Sequence, residues 1–413
     1  MRKPSQDAPS VLVTDAARGS ALAVIRSLGR AGYRVVAADP SPRALGFRSR
    51  FTRARVVTPP PDRDPKGFVE AILAAAREHR IDLLIPVTDA AILPLSAARE
   101  RFAGASRLAL PEPEALEAAW DKLRTVELGK RLGVPVPRTR LVCSAAEALA
   151  CAPEIGWPLV MKPRRSCVLG EAGLQSFHVA FASDADELAR RMRDFEGRCD
   201  VLLQAYSAGA GTGVELVCQG GRPLAAFQHE RLREVPLHGG ASSFRRSVPL
   251  DPALLEHSIR ILAALEWTGL AMVEFKVGDS GPKLMEINGR AWGSLPLAIA
   301  SGVDFPRLLA ELALHGRPLG DIAPLGEYAL GVRSRNPDLE IVWIGSVLRG
   351  TRRYPFLPLP RRREALRAIA QLFDPRVRSD LWSLEDPLPA LASIPRIAAK
   401  LRGKLAHARR SPE

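Results

Sequence analysis

A chain of 413 residues, 46% apolar and 25% charged, has room for roughly two to four domains and enough apolar material to bury their cores. Its five cysteines are scattered without any C-x-x-C spacing, which excludes a zinc site or a disulfide framework and points to a reducing cytoplasm. The net charge of +14 would suit nucleic acid, an anionic membrane or an anionic substrate, but no zinc-finger spacing or RNA-binding aromatic signature accompanies it, so nucleic acid is not expected as a partner. The first residues lack the apolar core of a signal peptide, and no run approaches the roughly 18–20 apolar residues of a membrane span.

In chain order, a short apolar run from Ser10 predicts a strand, followed by a helix over Ser20–Ala31 that Gly32 closes. Tyr33–Asp39 reads as a second buried strand. A helix over Lys66–His79 and a strand from Ile81 continue the alternation, giving a Rossmann-like α/β domain over residues 10–112. Asp39 stands where dinucleotide-binding folds place an acidic residue. The glycine fingerprint, however, reads Thr14, Ala16 and Gly19, with only the last glycine kept, so close approach of a pyrophosphate is not prepared for.

A second, α+β region spans residues 113–318, with a smaller subdomain over about 135–206. It opens with one helix over Glu114–Leu132. The strand Pro158–Pro163 follows, then a polar loop from Arg164 to Gln175, a helix over Ala185–Phe195 and a strand from Val201. Val214–Cys218 and Leu224–His229 form a hairpin, and Gly269–Val277 pairs with Lys283–Asn288 across the turn Asp279–Pro282. One long helix, Ser294–His315, closes the region. Residues 319–413 read as a basic C-terminal extension, whose segment Ser393–Arg410 is expected to be a solvated packing helix, with peripheral contact to an anionic membrane surface as the alternative.

The chemistry concentrates in the hairpin that carries Glu274, Glu286 and Asn288. Residues two apart on a strand share a face, so Glu286 and Asn288 point together, and Glu274 joins them if it lies across the hairpin. Two carboxylates and an amide oxygen are hard ligands suited to Mg²⁺, with Mn²⁺ as an alternative ion. Arg290, just beyond, would aim a fixed cationic fork at a transferring phosphoryl group. Lys162 ends an otherwise apolar strand and must reach solvent, an acid or an anion. Lys122 on its own reads as a surface helix lysine. Arg231, Arg233, His238 and Arg246 flank a Gly-Gly loop and are candidates for holding a carboxylate.

The ordered set Asp121-Lys122, Trp157-Pro-Leu-Val-Met-Lys162-Pro, Leu203-Gln204-Ala205-Tyr206, Val273-Glu274-Phe and Met285-Glu286-Ile-Asn288-Gly-Arg290 resembles the ATP-grasp superfamily. Its nearest flavour is the branch of carbamoyl-phosphate synthase large subunits and carboxylate–amine ligases, and the likeness covers about residues 10–316. The resemblance implies a pre-ATP-grasp Rossmann-like domain followed by a two-subdomain ATP-grasp fold clamping ATP. It implies Lys122 and Lys162 at the α- and β-phosphates or the adenine, Ser166 among the nucleotide-binding residues, Gln204, Ala205 and Tyr206 as the adenine hinge, and Glu215 as the candidate for the ribose. Glu274, Glu286 and Asn288 would hold Mg²⁺, with His238 and Arg290 catalytic. Departures are Gln204 where the family often has Glu, and Gly289 where it commonly has Pro. The implied activity joins a small-molecule carboxylate to an amine through an acyl phosphate, in a monomer or homodimer. The rival expectation is a catalytically inactive ATP-binding regulatory or scaffolding protein.

Overall fold

The computed structural model describes residues 8–170, 173–237, 239–350, 359–395 and 397, apart from the side chains of 168–170 and 173–174. The first domain is a parallel sheet of β1 (Ser10–Val13), β2 (Arg34–Asp39), β3 (Thr52–Val57), β4 (Leu83–Ile85) and β5 (Arg107–Leu108), in the order β3-β2-β1-β4-β5. Helices α1 (Gly19–Arg30), α2 (Pro65–Glu78) and α3 (Asp89–Ala97) connect its strands. β1 and β4 are buried along their whole length, which is why they read as short unbroken apolar runs. This is the expected Rossmann-like unit. Asp39 accepts the backbone N–H groups of Ala17 (2.7 Å) and Ser41 (2.8 Å), so its carboxylate is taken up by the domain's own turn.

The helix expected over Glu114–Leu132 is two helices, α4 (Pro113–Trp120) and α5 (Lys122–Arg131). Asp121 breaks it. Its carboxylate accepts from Leu123 N and Arg124 N as the N-cap of α5, and it is neutralised by Arg164 at 2.7 Å. The small subdomain follows as β6 (Thr139–Val142), α6 (Ala145–Ile155), β7 (Leu159–Pro163), β8 (Cys167–Gly170), β9 (Gly173–Ser176), β10 (Ala180–Ala182), α7 (Ala185–Met192) and β11 (Val201–Ala205). Four of these strands form one sheet, ordered β10-β7-β11-β6, while β8 and β9 pair with each other where a polar loop was expected.

The large sheet contains β12 (Ala210–Gln219), β13 (Arg222–Val235), β14 (Ala241–Ser247), β15 (Gly269–Gly278), β16 (Gly281–Asn288), β17 (Arg333–Arg335) and β18 (Val377–Ser379), in the order β16-β15-β12-β13-β14-β17-β18. Helix α8 (Pro252–Ala264) packs on β12 and β13. The closing helix is also split, into α9 (Leu295–Ala300) and α10 (Phe305–His315), because Gly302 turns the chain with φ +105° and Asp304 caps α10. These two helices carry one continuous apolar cluster from the α1 side of the first domain to β12, β13 and β15.

The C-terminal region differs most from the expected extension. β17 hydrogen-bonds to β14 and β18 to β17, with α11 (Pro337–Arg349) and α12 (Arg362–Gln371) between them. Asp386 receives Arg26 of α1 at 2.9 Å, which fastens this segment to the first domain. Most of the segment Ser393–Arg410 lies outside the described residues. Among the described residues no helix is long and apolar enough to cross a membrane.

Candidate active site

The register of the β15–β16 hairpin places Glu274 directly opposite Glu286, and Asn288 opposite Met272. Two like charges facing each other across a ladder are unfavourable, so their survival requires compensation. It comes from three directions. Arg231 on β13 pairs with Glu274 at 2.6 Å. The Asn288 amide donates to Glu274 (2.9 Å) and to Glu286 (3.2 Å). The lysines Lys122 and Lys162 face Glu286 from the neighbouring elements. Burial tends to raise Glu286, but these two lysines and the Asn288 hydrogen bond outweigh it and hold the carboxyl below its usual range. Burial raises Glu274, opposed by Arg231 and reinforced by Glu286.

Lys162 leaves β7 toward this hairpin, its Nζ 3.7 Å from Met285 Sδ. Burial lowers its pKa to about 8 against the pull of Glu286, with Lys122 adding to the depression. Lys122 is buried rather than a surface lysine, and its Nζ donates to Ser166 Oγ at 2.7 Å. The first turn of α5 is thereby tied to the loop after β7, where Lys122 N also bonds Arg164 O. Arg290 reaches the first domain, where its Nε lies 3.0 Å from both oxygens of Asp89.

A cavity of about 430 Å³ lies between the two sheets and is lined by all of Lys162, Gln204, Ala205, Tyr206, Glu274, Glu286, Asn288 and Arg290. Its lining includes Val160, Val179 and Phe181, and Val160 and Phe181 pack with Tyr206. A second cavity of about 280 Å³ shares Glu286, Asn288 and Arg290 and adds Lys122, Ser166, Trp120 and Asp89. The donor set fits a divalent cation. Two partly buried carboxylates face each other, and the Asn288 nitrogen bridges them where positive charge is favoured; turning that amide over exchanges its nitrogen for an oxygen ligand.

Three sequence expectations fail on the geometry. Glu215 is fully buried in β12, accepts from Ser294 Oγ at 2.7 Å, lies 3.0 Å from His229 Nδ1, and is not among the cavity residues, so no face is left for a ribose. Arg233 points to the other side of the sheet, between Phe244 and Trp343, and pairs with Glu340. Arg246 pairs with Glu230 at the surface. Of the four basic candidates around the Gly-Gly loop, only Arg231 among the described residues lines the main cavity, and His238 lies outside the described residues. Replacing Arg233 by alanine is therefore expected to lower stability by about 1–3 kcal/mol, because Glu340 is left buried and unpaired, while substrate KM stays unchanged. Urea unfolding beside steady-state kinetics checks both halves.

Sequence reasoning missed Asp89 and Glu234. Asp89 follows β4 at the carboxyl end of a parallel sheet, a position that favours sites and offered a usable signal. Glu234 lines the cavity and binds Lys276 at 3.2 Å; no local pattern announces it, since bulges in the β13–β14 pairing set where it points.

The fold places two α+β subdomains on either side of a cavity lined by acidic and basic side chains. The family described as "ATP-grasp in the biosynthetic pathway with Ter operon" matches residues 198–329. The chain is similar to the carbamoyl phosphate synthase large chains of Deinococcus radiodurans (26% identical over 59% of this chain and 24% of that one) and Thermus thermophilus (29% identical over 63% and 25%). It thus spans about a quarter of the length of these curated relatives. Among solved structures, the fold is shared with biotin carboxylase of Campylobacter jejuni (TM-score 0.62, 19% identity, 78% of this chain and 74% of that one). It is also shared with N5-carboxyaminoimidazole synthetase of Staphylococcus aureus (TM-score 0.61, 14% identity, 80% and 82%). The latter enzyme has also been solved with ADP.

Proposed function

We propose that this protein is a Mg²⁺- and ATP-dependent ligase that activates a small-molecule carboxylate as an acyl phosphate and joins it to an amine. The observation that carries this reading is the partly buried Glu274–Glu286 pair and Lys162 lining one cavity that also has an apolar patch at Val160, Phe181 and Tyr206. Adenine would lie against Val160, Phe181 and Tyr206, next to the Gln204–Tyr206 strand end. Lys162 and Lys122 would bind phosphate oxygens, with Ser166 holding the Lys122 ammonium in place. Glu274, Glu286 and the Asn288 amide would hold Mg²⁺, which when bound neutralises phosphate charge.

In the first step a carboxylate oxygen bonds to the γ-phosphorus and the bond to the ADP oxygen breaks. In the second, the amine nitrogen bonds to the acyl carbon, phosphate leaves, and the amine proton passes to solvent or phosphate. The protein's part is positioning and charge stabilisation. Arg290 directs its guanidinium to the boundary between the two cavities, where the transferring group would be.

The depressed Lys162 gives this reading a pH signature. The ammonium attracts phosphate and the free amine does not, so affinity for ADP is expected to fall as pH rises through about 8. The loss approaches about tenfold per pH unit for a single proton. Lys162→Arg stays charged and should flatten the profile. Calorimetric titration of ADP from pH 7 to 9.5 tests this (roughly the span on either side of the Lys162 transition); equal slopes in both proteins would remove Lys162 from the phosphate site. An inactive scaffold would show the same binding but no ADP or phosphate release with any carboxylate and amine mixture.

A further inference from the structure

Arg290 is held from outside its own domain. Its Nε lies 3.0 Å from both oxygens of Asp89, the first residue of α3, and Trp120 Nε1 donates to the same carboxylate at 3.3 Å. Asp89 is itself placed by a second aspartate. Asp15, in the turn after β1, accepts from Thr88 N (3.1 Å), Thr88 Oγ1 (2.8 Å) and Val87 N (3.3 Å), and thus fixes the residues just before Asp89. Thr88 in turn caps α3 through Ala91 N.

Asp15 has φ +58°, a left-handed conformation that non-glycine residues adopt rarely and at some cost. Aspartate tolerates it when its short side chain bonds locally, and here Thr14 Oγ1 also donates to it at 2.5 Å. The two turns that follow β1 and β4 are where a dinucleotide would bind in a Rossmann-like domain. In this chain their polar groups are directed at each other and, through Asp89, at Arg290.

We infer that the first domain serves as a brace for the site arginine, with Asp89 as a positioning residue and Asp15 as the strained support that orients it. The inference rests on the phosphoryl-transfer role given to Arg290 above. A guanidinium free to swing spends little time aimed at the reacting group, and displacement by about 1 Å can lower turnover about 10²-fold. Nucleotide binding does not depend on the brace, because the adenine wall and Lys162 belong to other elements.

The test compares Asp89→Asn, Asp89→Glu, Asp15→Asn and Asp15→Gly with the wild type. Asp89→Asn is expected to reduce kcat for phosphate release about 10²-fold with the dissociation constant for ADP unchanged, and Asp89→Glu to recover part of it. Asp15→Gly suits the backbone but lacks the carboxylate; it should lose kcat as Asp15→Asn does, while keeping the thermal midpoint better. A crystal structure of Asp89→Asn gives a readout independent of turnover, and Arg290 should leave its place. Arg290 unmoved there, or a wild-type kcat, overturns the inference. A wild type that binds ADP but never turns over refutes the ligase reading instead, and the Arg290 position still decides the brace.

Discussion

Glu286→Gln is expected to lower Mg-ATP turnover by about 10²–10³-fold, the usual effect of removing one preorganised charged group from a transition state. The substitution keeps volume and hydrogen-bonding capacity and removes only the charge. Glu286 is the carboxylate that Lys122 and Lys162 hold ionised, whereas Glu274 is already neutralised by Arg231. Losing Glu286 therefore leaves the two lysines without their acidic partner and the cation with a single carboxylate. The Mg²⁺ concentration for half-maximal rate should rise as kcat falls. Because the two lysines hold Glu286 below its usual carboxyl range, losing its charge removes some folded-state stabilisation even as it relieves the repulsion across the hairpin, so a modest fall in thermal midpoint with the fold kept is expected beside the loss of turnover. Steady-state ADP formation over a Mg²⁺ titration, with a thermal melt as the folding control, checks the prediction. Unchanged turnover would take the hairpin out of the chemistry.

Asp380→Ala is expected to destabilise the protein by about 3–5 kcal/mol, a large share of the roughly 5–15 kcal/mol typical of a folded protein. Asp380 follows β18 and meets Arg245 of β14 at 2.5 Å, with 1% and 0% of their side chains exposed. Removing the acid leaves an uncompensated guanidinium inside the structure. Replacing both partners at once, Arg245→Met with Asp380→Leu, removes both desolvation costs and should recover most of the loss. Urea unfolding of the single and double variants measures this. A single variant as stable as wild type would mean that the C-terminal strands do not belong to the core of the large sheet.

The sequence showed the site more fully than it showed the fold's periphery. Glu286 and Asn288 share a face by strand geometry alone, and the structure supplies what that argument lacked, namely Glu274 in register opposite Glu286. Lys162 was conspicuous because an apolar strand does not end in lysine without a partner. Lys122 was not, since its burial comes from the packing of α5 against the loop after β7, a contact that no local pattern encodes. The break at Asp121 was hidden because apolar periodicity continues through it while its capping carboxylate acts on the backbone. β17 and β18 were hidden for a different reason. Each is three residues long, Arg-Ser-Arg and Val-Arg-Ser, and long-range pairing rather than hydrophobic alternation makes them strands. Arg233 misled because its charge suggested a ligand, whereas the structure uses its flat guanidinium as packing between Phe244 and Trp343.

The central claim is that ATP activates a carboxylate here by phosphoryl transfer. The most direct measurement incubates the protein with Mg-ATP and pooled carboxylates, with hydroxylamine as a general nucleophile, and separates the nucleotide products. The expected result is carboxylate-dependent ADP and phosphate together with an acyl hydroxamate, abolished in Arg290→Ala. AMP with pyrophosphate, or intact ATP in every pool while ADP still binds, would contradict it.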